Sequence, residues 1–269
     1  METTKIVFLW SHVRSVSTAF ERAFMQRDDY ITFHEPFGEP AYFGPERIHD
    51  YFENELSAHA EYLNITYSQI IEQILNAATG KENKKVFVKD MARHVLPPDY
   101  RSHPENPTML PIEFLKRCTH TFILREPGKA LTSSYSTFVA NNQRFMREDI
   151  GYVELQALYE FLTELTGVRP PLIEASELLA EPKAMMQMYC ESAIQDRFEP
   201  TMLEWKSERV MAFDKWPGWH DSAQYSKGFN QVQKTTNNTD DTVLPDDVKE
   251  LIEKCMPIYN ALREFRMRI

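Results

Sequence analysis

The chain has 269 residues, with 40 acids against 30 lysines and arginines, and its net charge of −10 excludes a protein that coats nucleic acid or anionic lipid through its whole surface. The 8 glycines are about half the share that ordinary globular composition gives. No two of them stand two or five positions apart, so a G-x-G-x-x-G dinucleotide fingerprint and a G-x-x-x-x-G-K-(S/T) nucleotide loop are both absent. Hydrophobic residues at 42% suit a globule with a large core, read as one enlarged α/β domain.

Cys118, Cys190 and Cys255 are odd in number and far apart. They read as small buried hydrophobes in a reducing compartment, not as a disulfide framework or a C-x-x-C metal motif. The start of the chain, five residues and then the apolar run 6–10, is too short for a secretory h-region or a membrane span. Cytoplasmic residence is the expectation, with the N-x-T triplets at Asn64 and Asn237 as chance sequons.

Taken in chain order, short apolar runs at 6–10, 30–33, 86–88, 121–124 and 171–173 predict five buried strands. The stretches between them carry helical spacing, so the pattern is βαβ and the expected architecture is a three-layer α/β/α fold with a five-stranded parallel sheet. Residues 35–62 carry Phe37, Tyr42, Phe43, Tyr51, Phe52 and Tyr62 among prolines, and read as an aromatic insertion over a pocket. From about residue 175 the chain turns mainly helical: 176–179, 182–194, and a last helix opened by Asp246 and Asp247 after Pro245 and kinked at Pro257. The polar stretch 234–242 reads as a mobile surface loop.

Two segments carry chemistry. After the first strand comes Ser11-His12-Val13-Arg14-Ser15-Val16-Ser17-Thr18, opening directly into a helix. Hydroxyls, one guanidinium and free amides at a helix start present positive potential to a single point, where an oxyanion belongs. The plain alternative is an N-cap beside a surface arginine. After the fourth strand comes Arg125-Glu126-Pro127, with Ser133 two turns into the helix that follows, placed to converge on a second phosphate.

Together these residues resemble the sulfotransferase family, whose donor is 3′-phosphoadenosine 5′-phosphosulfate. The family's P-(K/R)-S-G-(S/T)-T loop appears here as Val13-Arg14-Ser15-Val16-Ser17-Thr18, and its R-x-P-x-x-x-x-x-S segment as Arg125 to Ser133. Ser176 to Pro182 looks like the family's E-(D/L)-L-x-x-(D/E)-P segment. Trp216 to Phe229 resembles its closing loop, with Lys227 and Gly228 in the place of a basic pair that reaches the 3′-phosphate. The resemblance implies that Arg14, Ser15, Val16, Ser17, Thr18, Arg125, Ser133, Lys227 and Gly228 hold the donor, with no metal. It implies transfer to a hydroxyl or amine of a small molecule, with no nucleic-acid or membrane partner.

Two departures stand out: Val13 replaces the family's proline and Val16 its glycine. A β-branched residue at positive φ is an outlier, so either φ stays negative at Val16 or the donor site has drifted. Drift would leave a sulfotransferase-like fold using the same crevice for acid–base chemistry such as dehydration, isomerisation or cyclisation. Candidate bases lie after the second and third strands, His34 and Glu35 in one loop and Asp90 and His94 in the other, alongside Arg14 as the stabiliser of developing charge. An E-P glutamate and a histidine after a lysine-bearing third strand are both family-like, although the step from Lys89 to His94 is longer than the K-x-H of the cytosolic group.

Overall fold

The computed structural model describes residues 5–80, 84–145, 150–229 and 243–269. The polar stretch 234–242, Asn237 with it, lies outside the described residues. Five parallel strands form one sheet: β1 (Ile6–Ser11), β2 (Tyr30–His34), β3 (Lys85–Met91), β4 (Thr119–Leu124) and β5 (Leu172–Glu174). Their order across the sheet is β2-β3-β1-β4-β5.

The five strands fall where the apolar runs place them, each within two residues except β3, which extends three residues further to Met91. That extension carries Lys89 and Asp90 inside the strand, with Asp90 level with Trp10 of β1. Successive side chains of a strand point to opposite faces, and the core divides accordingly. Phe8, Trp10, Val88, Phe122 and Leu124 pack on one face, and Val7, Leu9, Phe87 and Ile123 on the other. A sheet buried on both sides explains why the runs read as continuously apolar.

On the second face lie α1 (Ser17–Phe24), which buries Ala19, Phe20, Ala23 and Phe24, and later α7 (Ala175–Ala180) and α8 (Pro182–Met188). Beyond α8 the chain turns through a π-helical segment, Tyr189–Ala193, where the sequence reads as one continuous helix. The first face is covered by α3 (Tyr67–Thr79), α5 (Pro127–Ala140), α6 (Tyr152–Thr166) and the carboxy-terminal helix Asp246–Arg263, which runs through Pro257. Between β2 and α3, the aromatic insertion folds as α2 (Gly38–Tyr42) and a kinked 3-10 segment, Glu53–Tyr62. The short α4 (Ile112–Leu115) precedes β4, and α9 (Asp221–Gln224) lies near the amino end of α1.

β1 sits between β3 and β4, and the chain leaves it toward β2 on one side and later returns to β4 on the other. That reversal opens a crevice at the carboxyl end of β1, which is where open α/β sheets bind ligands. No described helix is long and apolar enough to cross a membrane.

Candidate functional site

A cleft of about 910 Å³ opens at this switch point. Its floor is the loop after β1, since Val13, Arg14, Ser15, Val16, Ser17 and Thr18 all line it. Val16 is the N-cap of α1, with φ of 72° and no side-chain cap. Of the two alternatives left open for Val16, a negative φ is therefore excluded, because Val16 adopts the left-handed conformation that glycine takes without steric cost. Arg14 is also left-handed, at φ 58°. Such a turn costs an L-residue roughly 1–2 kcal/mol, and strain of this kind collects where a site over-determines the backbone. Valine also has no polar side chain to cap the helix, so the first-turn amides have no intrahelical acceptor, and their residues Ser17, Thr18 and Ala19 line the cleft. Ser15 Oγ is buried and has no hydrogen-bond partner.

α5 is built the opposite way. Its N-cap carboxylate, Glu126, accepts from Gly128 N and Lys129 N at 2.9 Å each, so its own side chain already occupies the amides at that helix start. What the second motif contributes is Arg125, whose guanidinium donates to the Arg14 carbonyl at 2.9 Å. Ser133 Oγ accepts from Arg14 Nε at 3.0 Å, and Arg14 also donates to the Trp219 carbonyl. His12 joins the two loops. Its Nε2 accepts the Arg125 amide at 3.1 Å, which leaves Nδ1 to donate to the Val13 carbonyl at 3.0 Å.

Among the described residues neither Arg14 nor Arg125 has a carboxylate within ion-pair distance. Burial, followed by the neighbouring Arg125 charge, brings Arg14 down to about 10, and burial lowers Arg125 as well. Two desolvated cations side by side with only carbonyl and hydroxyl partners form a site that an anion would relieve.

The four candidate bases separate. Glu35 lines the cleft at φ 43°, paired with Lys89, whose ammonium donates to Oε1. Burial, the largest single influence, would raise this carboxyl, but Lys89 together with the neighbouring His34, His220 and His94 holds it well below the usual carboxylate range. Asp90 is fully buried and caps its surroundings, accepting from Phe37 N at 2.8 Å, Met91 N at 2.7 Å and the His94 ring at 2.7 Å. His94 lies in the interior behind Gly38 and off the cleft wall, with Nε2 unpartnered. His34 is buried one layer behind the wall.

The layer around His34 contains residues the sequence reading did not single out. His34 Nδ1 meets Glu21 Oε2 at 2.6 Å, His34 Nε2 meets His220 Nε2 at 3.1 Å, and His220 Nδ1 meets Thr18 Oγ1 at 3.1 Å. Burial pushes His220 down to about 3 and His34 well below its ordinary value, while it raises Glu21 well above the carboxylate range. His34, Glu35 and His220 bring one ligand-type atom each within 4.8 Å of one another. Those atoms are already engaged, the two rings with each other and Glu35 with Lys89. The available signals were a histidine inside the closing-loop stretch and a glutamate one turn beyond Thr18.

Lys227 and Gly228 stand away from the cleft wall. Gly228, at φ 146°, bridges Glu204, and a Cβ there would meet the Leu203 carbonyl at 2.6 Å, so backbone packing accounts for this glycine. The closing-loop stretch reaches the cleft through Trp216, Trp219, His220 and Ser222 instead. The insertion contributes Tyr42, Tyr51 and Phe52, with Tyr42 and Phe52 packed on Trp216, and the end of α5 contributes Phe138, packed on Trp219.

A family model described as "Sulfotransferase domain" matches residues 4–266. Two curated proteins of Arabidopsis thaliana are similar along nearly the whole chain. "Branched-chain-amino-acid aminotransferase-like protein 2" is 25% identical over 96% of it, and "Branched-chain-amino-acid aminotransferase-like protein 1" is 24% identical over 98%. The chain spans 41% and 42% of the lengths of those relatives. Among solved structures, the sulfotransferase domain from the Synechococcus PCC 7002 olefin synthase aligns with 94% of this chain and 96% of its own, at 13% identity and a TM-score of 0.46.

Proposed function

The chain belongs to the sulfotransferase-domain family, and from that membership we propose that it transfers a sulfuryl group from 3′-phosphoadenosine 5′-phosphosulfate to a hydroxyl or amine of a small molecule held in the cleft. One observation carries the reading. The Arg14 and Arg125 guanidiniums, the uncapped start of α1 and the unpartnered Ser15 hydroxyl all converge on one wall. Such a wall fits a polyanion and has no other evident use.

The donor, when bound, supplies an activated sulfuryl group and a phosphate leaving group. Arg14 and the hydroxyls of Ser15, Ser17 and Thr18 hold negative charge at the start of α1. Arg125 holds a second phosphate, and Ser133 serves the site by fixing the Arg14 guanidinium. Positioning and preorganised positive charge are the main sources of rate in the related phosphoryl transfers, and sulfuryl transfer makes the same demand. Aromatic walls from Tyr42, Tyr51, Phe52, Trp216 and Phe138 exclude water and suit a phenolic or apolar acceptor.

The rival reading, a fold that has lost its donor, rests on Val13 and Val16. The positive φ of Val16 leaves drift as the other alternative the sequence posed, but a third outcome is available: the loop makes the left-handed turn with valine while Arg14 and Arg125 stay beside the cleft, so the substitution alone gives that rival little support. Cytoplasmic residence belongs to the same proposal and accords with three free cysteines. Incubating the protein with radiolabelled donor and a panel of phenols and alkyl alcohols tests the transfer. Label should pass to at least one acceptor and not with Arg14→Ala, and binding without transfer to any acceptor class would contradict it.

A further inference from the structure

Thr18, His220, His34 and Glu21 form a single file from the cleft wall to the interior, with successive contacts of 3.1, 3.1 and 2.6 Å. The far end is dry, since the His34 and Glu21 side chains are 1% and 0% exposed. Phe213 packs on both imidazoles, with ring centroids 4.6 and 5.3 Å away, and the two imidazoles stand perpendicular to each other. The other oxygen of Glu21, Oε1, is buried without a partner. A permanently ionised carboxylate left like this is costly, whereas a carboxyl that takes up a proton is not.

We propose that these four residues are a proton-relay line that removes the acceptor's proton from the cleft and stores it on Glu21. The inference rests on the sulfuryl-transfer reading for the source of the proton. The contact between the two Nε2 atoms is a hydrogen bond only if one ring carries the proton there and the other does not, so neutral rings hold opposite tautomers. With Glu21 ionised, His34 donates from Nδ1 to Glu21, His220 donates from Nε2 to His34, and Thr18 donates to His220 Nδ1. In the transfer, the acceptor O–H bond breaks and its proton goes to Thr18 Oγ1, while the Thr18 proton passes to His220 Nδ1. The His220 Nε2 proton moves to His34 Nε2, and the His34 Nδ1 proton to Glu21 Oε2. One bond to hydrogen is lost at the acceptor and one is gained at Glu21, and both rings end neutral with their tautomers exchanged.

Glu35 is poorly suited to this task, because its ion pair with Lys89 keeps it ionised. The charges facing the line are Lys89 and Asp90 from β3, Glu35 from the loop after β2, Lys215 from the segment before His220, and Arg14 from the loop after β1. Burial raises Glu21 and outweighs the cations that favour its ionised form, so the line takes up the acceptor's proton only above the pH at which Glu21 ionises.

The test is ring-nitrogen NMR of the full chain with isotope-labelled histidine from about pH 5 to about pH 9, with His34→Asn and His220→Asn used to assign signals. Both rings should stay neutral and exchange tautomers together in one transition, and E21Q should lose that transition and hold His34 as the Nδ1–H form throughout. Fixed tautomers, or either ring taking up a second proton independently, would overturn the relay. So would zinc chloride displacing the one proton held between the two Nε2 atoms and shifting both nitrogen signals together, which would indicate a metal centre. The wild-type titration stands alone should E21Q not fold. Calorimetry with adenosine 3′,5′-bisphosphate on the same sample reports the donor site separately: binding without tautomer exchange removes the relay only, and exchange without binding removes the transfer reading.

Discussion

Arg14 Nε donates to Ser133 Oγ at 3.0 Å, tying the loop after β1 directly to the helix after β4. Two motifs separated by more than a hundred residues thus act on one guanidinium, and Ser133 positions Arg14 in addition to any contact of its own with phosphate. Ser133→Ala should weaken adenosine 3′,5′-bisphosphate binding about five- to tenfold, roughly 1–1.4 kcal/mol, the upper part of the net range of an ordinary hydrogen bond. Calorimetric titration checks this, and Thr137→Ala, one turn further along α5, serves as the control.

Val16 makes a left-handed turn at φ 72° with a β-branched side chain. Glycine removes the steric cost there but forfeits some packing against the second core cluster and loosens the unfolded chain. The steric term is the larger, so Val16→Gly should raise unfolding stability by about 1 kcal/mol without weakening anion binding. Denaturant titration measures it, and a loss of stability would mean that the Val16 side chain contributes more by packing than the turn costs.

Burial pushes His12 and His220 down to about 3 and His120 to about 4. An unfolded histidine titrates near about 6.5. The folded values lie below the unfolded one, so between them the unfolded chain binds more protons. This contribution is complete above about pH 6.5 and is lost as pH falls toward the folded values. Glu35, held below its ordinary range mainly by Lys89 against the effect of burial, acts with the same sign at lower pH. Glu21, Glu39 and Glu174, raised by burial, act with the opposite sign, against Glu35 and the buried histidines His12, His34, His49, His120 and His220. The melting temperature should fall steadily from about pH 7 to about pH 4, and calorimetric scans along that range would contradict the account if they were flat.

The sheet was legible because five runs buried on both faces leave a continuous apolar signal, Arg125 because it follows such a run directly, and Arg14 because it stands in the short hydroxyl-rich loop after another. The shape of the Val16 turn was not, since the same residue fits negative or positive φ until the loop is anchored by Arg14, His12 and Ser133. Lys227 and Gly228 matched a basic pair by order along the chain, but neither lines the cleft, and Gly228 bridges Glu204. His220 and Glu21 escaped notice because their significance lies in contacts across 186 and 13 positions with His34, a relation that spacing does not encode. Among His34, Glu35, Asp90 and His94, residue type made all four eligible, and only depth separates Glu35 on the wall from the other three behind it.

The central claim is that the loop after β1 and Arg125 form one polyanion site. Calorimetric titration with adenosine 3′,5′-bisphosphate tests it most directly. The account predicts saturable binding with a dissociation constant on the order of 10 µM, about −7 kcal/mol, lost in Arg125→Ala and weakened in Arg14→Ala. No heat from the folded wild-type protein at millimolar ligand would contradict it.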